Sequence, residues 1–460
     1  MNAQQTGPKI TAREAALVVL LEVEQGYAYA NLALKKMLAR YNLNEADNRL
    51  TCELVYGTLR MQAAVDYLLS NLLNRPLKKL SIPIHHILRL SLYQLVYLER
   101  LPQAAIVHQA VELAKKYGHT GTVSLVNGVL RSFLRQKNTI SLPDESDPYA
   151  YISITLSYPF WLAEYLLTRW STQDTFDFCR FFNQYQGIDL RTNTLAILRN
   201  DLQIELSKAG IIAQTGIYAP ESLLVQEGGN YLPPLLVQGK FIIQGQASQL
   251  AAYALNPKPG SKVIDLCAAP GGKTTHMAQL MDNKGEILAV DLHIHRLKLI
   301  EENAGRLGIT IIGVLAADGR ELPSKWHNFA DYLLLDAPCS GLGVLGRRAD
   351  ARWRKQLSDI KEMAILSYQL LLAAAAYIKP GGYICYTTCT ISEEENCHNI
   401  QRFLAKRQDF SLAPMTKLAG LLLNEKDKKA ALSGSIQFLP QHQGIEGFYI
   451  CLLQKAHIYH

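Results

Sequence analysis

The chain has no run approaching ~18 uninterrupted apolar residues, so a membrane-spanning helix is not expected. Its opening stretch, MNAQQTGPKI, lacks the apolar core of a secretory leader, so a cytoplasmic protein is expected. Cysteine is sparse and scattered: the eight residues stand at 52, 179, 267, 339, 385, 389, 397 and 451, and no C-x-x-C pair occurs. That spread points to reduced thiols rather than a disulfide framework or a zinc site, and no metal is expected. No repeat with a period of 20–50 residues is present, and no low-complexity tract. The dinucleotide pattern G-x-G-x-x-G is missing as well. Charge is modest in both signs, 47 Lys and Arg against 40 Asp and Glu, which permits a polyanionic partner without requiring one.

What is present is a globular composition, 48% hydrophobic and 19% charged. At about 150 residues per domain, 460 residues suggest three. Residues 1–137 read as helices by their apolar spacing. Ala16, Val19, Leu20 and Val23 fall at i, i+3, i+4, i+7, as do Val107, Ala110, Val111 and Ala114, and Val126, Val129, Leu130 and Phe133. Ile84, Ile87, Leu88, Leu92 and Leu95 form another stripe, with Gly26, Gly57, Pro83, Pro102 and Gly118 as punctuation. Such stripes bury against one another in an all-α bundle. Residues 1–150 carry 17 basic against 12 acidic side chains.

A polar, proline-bearing linker begins at Asn138, and residues 151–240 mix helical and strand-like pieces in a small α/β connector. From 241 to 460 short apolar strands alternate with helices: KVIDLC, EILAVD, TIIGVLAAD, DYLLLDAP, YICYTTC and FYICLL. This alternation predicts a mostly parallel, doubly wound sheet. Ser392 with Glu395 reads as a capping box, and Lys379-Pro380-Gly381-Gly382 as the stop of the helix before it.

Three strings sit where predicted strands end. The first is Cys267-Ala268-Ala269-Pro270-Gly271-Gly272-Lys273, a small-residue loop opening a helix, where backbone can approach a ligand closely. It ends like a phosphate-binding loop, but Cys267 stands where that loop needs glycine. Asp291 ends the next strand, where an acid can hold ribose hydroxyls, and Asp318 follows the third, where a carboxylate can accept from an adenine amino group. A loop and two acids so placed suit an adenosine cofactor without phosphate, such as S-adenosylmethionine. The second string is Asp336-Ala337-Pro338-Cys339-Ser340-Gly341, and the third is Tyr386-Thr387-Thr388-Cys389-Thr390. A free cysteine is usually a small buried hydrophobe, which is the reading for Cys52, Cys179, Cys385 and Cys451. Cys339 and Cys389 instead lie where strands turn into loops, at positions where nearby helix N-termini would lower a thiol pKa.

These three strings resemble the motifs of the RNA (cytosine-5)-methyltransferases of the Sun/Nop2 group. The helical part, especially Leu88-Arg89-Leu90 to Tyr97 and Val126-Asn127-Gly128-Val129-Leu130, resembles the antitermination factor NusB. Leu190-Arg191-Thr192-Asn193 and the stretch to Gln246-Ala247-Ser248 resemble the small extension before the family's catalytic domain. The resemblance implies a C-terminal Rossmann-like class I methyltransferase domain, with Cys267 to Lys273, Asp291, Asp318 and Asp336 around S-adenosylmethionine. It implies Cys389 as nucleophile, Cys339 as the helper in product release, and Asp336 as the acid shared between cofactor and base. It implies 16S rRNA as partner, and the chain is expected to act as a monomer. Departures are the absence of an acid near Gly245-Gln246 and alanine at 349 where the family usually has proline.

The chemistry fits the residues independently. Carbon 5 of cytosine is a poor nucleophile until a thiolate adds at carbon 6. An acid must face the ring nitrogen N3, and a carboxyl kept protonated by desolvation at Asp336 would serve. The basic string Arg347-Arg348…Arg352-Trp353-Arg354-Lys355 follows the active loop, and Arg347, Arg348 and Arg352 are expected to meet RNA phosphates. The alternatives are an RNA-binding factor that has lost activity, which retention of Asp336, Cys339 and Cys389 argues against, and the same transfer on tRNA.

Overall fold

The computed structural model describes residues 10–26, 28–41, 43–184, 187–346 and 349–457. By its internal contacts the chain forms two compact units. The first is residues 1–184 with 345–355, and the second is 185–344 with 356–460.

The first unit is helical. Its helices include Ala12–Glu24, Ala30–Arg40, Glu45–Arg60, Gln62–Leu72, Ile82–Tyr97, Gln103–Tyr117 and Thr120–Gln136. Ala16, Val19, Leu20 and Val23 are buried in its core with Ile87, Leu88 and Val126, so these stripes face inward as their spacing predicts. The stripe on Gln103–Tyr117 is displaced by one position: Ile106, Ala110, Leu113 and Ala114 are buried, while Val107 and Val111 are half-buried. Gly57 does not punctuate but lies inside Glu45–Arg60. A Cβ there would meet the Tyr93 ring at 2.1 Å, so glycine serves close packing of two helices.

The helical unit extends past residue 137. Helices Phe160–Leu167 and Thr172–Asn183 belong to it, and so does 345–355, an excursion from the middle of the second unit's sequence.

The second unit holds two sheets. The smaller is antiparallel, with β1 (Ile188–Thr192), β2 (Ile212–Thr215), β3 (Ser222–Glu227) and β4 (Phe241–Ile243) in the order β2-β3-β1-β4. Helix Arg199–Lys208 supplies Leu202 and Leu206 to its core against Leu190, Leu223, Val225 and Phe241. The larger sheet has β5 (Lys262–Asp265), β6 (Glu286–Asp291), β7 (Ile312–Ala316), β8 (Ala330–Asp336), β9 (Ile378–Thr388), β10 (Phe410–Leu412), β11 (Ser435–Phe438) and β12 (Phe448–Lys455). Its order is β10-β12-β9-β8-β5-β6-β7, with β11 paired to β12.

Strands β5 to β9 run parallel, and β12 is antiparallel to β9. Alternate side chains divide between two cores: Val263, Ile287, Leu334 and Cys385 on one face, and Ile264, Leu288, Leu333, Leu335 and Ile384 on the other. Both faces are covered, which is why these strands read as nearly continuous apolar runs. Strand order reverses between β5 and β8, and open α/β sheets bind ligands at the carboxyl end of such a switch point.

Candidate active site

Every strand of the parallel set delivers a polar residue to that carboxyl edge. Asp265 closes β5, Asp291 closes β6, Asp318 follows β7, Asp336 closes β8 and Cys389 follows β9. The edge therefore gathers Cys267 to Lys273, Asp291, Asp318, Asp336, Cys339 and Cys389, which lie up to 122 positions apart in sequence.

The loop after β5 leads into helix Gly272–Leu280 through Gly271, whose φ of +96° is left-handed. Asp291 is nearly fully buried against this loop. Its carboxylate accepts from Ala269 N at 3.3 Å and from His293 N at 3.1 Å, and Arg296 pairs with it at 3.2 Å. Asp318 is more open and is paired with Arg320 at 2.6 Å, whose hydrogen bonds hold its carboxyl below the usual range. Burial pushes the Cys267 thiol up, as do the carboxylates of Asp265, Asp336 and Asp291, which suits a loop residue and not a nucleophile.

On the other side of the switch point, Lys273 Nζ lies 2.7 Å from Asp336 Oδ2. Burial opposes the Lys273 charge, but Asp336 outweighs it and holds the ammonium protonated. Thr387 donates to the other oxygen, Asp336 Oδ1, at 2.9 Å. Both Asp336 oxygens are therefore engaged, one by the Lys273 ammonium and one by the Thr387 hydroxyl.

The two half-buried cysteines meet, with Cys339 Sγ 3.4 Å from Cys389 Sγ. Close loop packing brings them there. Gly343 N donates to Cys389 O at 3.0 Å, and Gly447 N donates to Gly343 O at 2.8 Å. A Cβ on Gly343 would meet Gly447 O at 2.0 Å, so only glycine fits. The expected lowering of thiol pKa is reversed at Cys339. Its neighbour Cys389 pushes the thiol well up, followed by burial and by the charges of Glu395 and Asp336. The next helix in the chain after Cys389 begins only at Cys397.

Four further residues belong to this edge. Thr387, Arg296 and Arg191 each support a site element, and Arg191 reaches from β1 to donate to Gly272 O at 2.5 Å and Thr275 Oγ1 at 2.9 Å. A long charged side chain in the middle of a buried strand was the available signal for Arg191. Glu395 is the fourth. The capping box does not form as expected: Ser392 Oγ accepts from Glu395 N at 3.2 Å, but the Glu395 carboxylate turns to Ser340.

The basic string is corrected too. Arg347 and Arg348 lie outside the described residues. Arg352 is fully buried within the helical unit, where it donates to Ser157 O at 3.1 Å and Asn183 Oδ1 at 3.0 Å and covers the Tyr158 ring at 4.0 Å. Trp353 Nε1 donates to Leu59 O, and Arg354 to Val23 O and Ala28 O. These side chains anchor 345–355, so Arg352 has no face for a phosphate.

The edge fits S-adenosylmethionine. Asp291 and the Ala269 backbone form one wall, Asp318 stands beyond it, and the carboxylates suit a cationic ligand bearing ribose and adenine. A parallel sheet with this loop and these acids defines an S-adenosylmethionine-dependent methyltransferase. Among the described residues no cluster of side chains could hold a metal, and no helix is long and apolar enough to cross a membrane.

The comparisons narrow the class. The family described as 16S rRNA methyltransferase RsmB/F matches residues 252–454, the NusB family residues 10–135, and the RsmF/B-like ferredoxin-like domain residues 158–231. The Bacillus subtilis (strain 168) protein named "Probable ribosomal RNA small subunit methyltransferase B" is 37% identical over 448 residues, 97% of this chain and 99% of that one. The crystal structure of PH0851 superposes with a TM-score of 0.80 at 28% identity, covering 98% of this chain and all of the other. NSun6 from Pyrococcus horikoshii with SFG gives 0.56 at 26% identity, over 65% of this chain and 98% of that chain. The chain belongs to the RsmB family of 16S rRNA methyltransferases.

Proposed function

We propose that this protein methylates carbon 5 of a cytosine in 16S rRNA, with Cys389 as the attacking thiolate and Cys339 as its partner in release. The observation that carries this is the 3.4 Å approach of the two sulfurs beside the Lys273–Asp336 pair. Bound S-adenosylmethionine supplies an electrophilic methyl group. Asp291 and the loop from Cys267 to Lys273 orient its ribose and methionine parts, and Asp318 its adenine.

Cys389 adds to carbon 6 and forms a C–S bond, which moves an electron pair toward carbon 5. The proton on Lys273, held by Asp336, faces the developing charge at N3. After carbon 5 is methylated its proton must leave, so that the double bond re-forms as the C–S bond breaks. Cys339, the second sulfur at the site, is assigned to that step: having given its own proton to solvent, its thiolate takes the carbon-5 proton and ends as the thiol. The target base must be unstacked to reach both sulfurs.

The helical segment 1–137 is assigned RNA binding, 151–240 the connector role and 241–460 catalysis. The protein is assigned to the cytoplasm, acting as a monomer. Bisulfite sequencing of 16S rRNA from cells with and without the protein tests the reading, and loss of one 5-methylcytosine is the expected result. An unchanged methylation map would overturn it.

A further inference from the structure

Glu395 is a fully buried carboxylate in the turn between β9 and helix Cys397–Lys406. Its Oε1 accepts from Ser340 N at 2.6 Å and its Oε2 from Ser340 Oγ at 2.6 Å. Thr390 Oγ1 lies 3.4 Å from Oε2 and 2.8 Å from Ser340 Oγ. Ser340 is the residue after Cys339, and Thr390 is the residue after Cys389. One carboxylate thus gathers the immediate successors of both cysteines, whose loops are otherwise fifty positions apart. Its own backbone is fixed in turn, because Tyr386 donates to Glu395 O at 2.5 Å and Asn399 at 3.4 Å. A buried carboxylate is costly to desolvate, and no ion pair offsets it among the described residues. A cost of that kind is expected where the group holds a geometry that the site needs.

We propose that Glu395 is a positioning residue for methyl transfer: it clamps the Cys339 loop to the Cys389 loop and thereby fixes the separation of the two sulfurs. The role in catalysis rests on the covalent reading given above; the clamp itself does not. Two consequences follow. Without the clamp the thiols drift from the reacting geometry, and misplacement by about 1 Å can cost on the order of 10²-fold in rate. The carboxylate also bears on Cys339, which is faced by Cys389, Glu395 and Asp336, with Lys273 beyond Asp336. Removing one negative charge and loosening the thiol contact both favour the Cys339 thiolate.

The test uses Glu395→Gln in the full-length protein, with Ser340→Ala as the milder variant should the first fail to fold. Steady-state methylation of a 16S rRNA fragment gives kcat and KM. Iodoacetamide alkylation of the RNA-free protein at a series of pH values, read at the Cys339 peptide by mass, gives the thiol's titration. For Glu395→Gln the expected result is a kcat roughly 10- to 100-fold lower, KM for RNA and cofactor within about threefold, and an alkylation midpoint at least about 0.5 pH unit lower. Ser340→Ala keeps the backbone N–H bond and should move both quantities in the same direction by less. A folded Glu395→Gln protein with unchanged kcat and an unchanged alkylation midpoint overturns the proposal, as does Ser340→Ala with neither moved if only that variant folds. If the midpoint falls while Cys389→Ala still methylates, the clamp stands and the covalent reading fails.

Discussion

Cys339 Sγ and Cys389 Sγ are 3.4 Å apart across fifty positions of sequence, on loops that leave adjacent parallel strands. Neither loop could present two sulfurs to one base alone. The proposed mechanism gives the two sulfurs different roles, and these are separable by experiment.

Cys389→Ala should abolish methylation and form no covalent RNA adduct, because the attacking sulfur is gone. Cys339→Ala should still add to carbon 6 but stall before release, leaving a protein–RNA band that resists denaturation. Denaturing gel electrophoresis with labelled rRNA fragment reads both. A band with Cys389→Ala that vanishes with Cys339→Ala would exchange the two assignments.

Asp291→Ala should weaken S-adenosylmethionine binding about tenfold or more, since hydrogen bonds to charged groups contribute about 1.5–3 kcal/mol. The carboxylate also fastens the Ala269 backbone at 3.3 Å, so its loss loosens the loop as well. Arg296 pairs with Asp291 and donates to Ala269 O at 3.1 Å from a half-exposed position, so Arg296→Gln should weaken affinity in the same direction but by less, about threefold. Calorimetric titration of both variants is the check, and equal affinities for Asp291→Ala and the unaltered protein would remove Asp291 from the site.

Much of this edge was legible in the sequence, for a physical reason. A parallel strand covered on both faces must be apolar, so its polar terminal residue stands out: Asp291, Asp336 and Cys389 each close or follow such a run. Contacts between distant segments left no such mark. Ser392 and Glu395 fit a local capping pattern, yet Ser340, fifty-five positions away, captures the carboxylate. The arginines after Gly346 read as a basic string for RNA phosphates. Nothing local shows that Arg352 is buried in the helical unit, where it meets a backbone carbonyl instead of water. On Gln103–Tyr117 apolar residues occupy adjacent positions, so spacing alone does not choose between Ile106 and Leu113, which are buried, and Val107 and Val111, which are half-buried.

Asp265 ends the central strand with no exposure, and burial raises its carboxyl to about 7 despite a 2.7 Å hydrogen bond from Thr274. The folded protein therefore binds a proton that the unfolded chain has released above roughly pH 4. Its contribution is full below that pH and is lost as pH rises toward 7. Asp265→Asn removes the titration. Denaturant unfolding of the second unit should show the gap between unaltered protein and variant narrowing by up to roughly 4 kcal/mol between pH 4 and pH 8. A gap independent of pH would show that Asp265 titrates alike in both states.

Arg352 separates a structural role from an RNA-binding one. Its guanidinium donates to Ser157 O, Asn183 Oδ1 and, at 3.4 Å, Arg60 O, all within the helical unit. Arg352→Ala would leave those acceptors buried without a donor and remove the group stacked on Tyr158. Losses of this kind typically total roughly 2–4 kcal/mol. Denaturant titration should therefore show the helical unit unfolding earlier. A phosphate contact would behave differently: its loss lowers the salt dependence of RNA affinity by about one released counterion and leaves stability nearly unchanged. At a temperature where the variant is folded, its affinity for rRNA fragments should follow the same slope against salt as the unaltered protein. A shallower slope with unaltered stability would return Arg352 to the RNA interface.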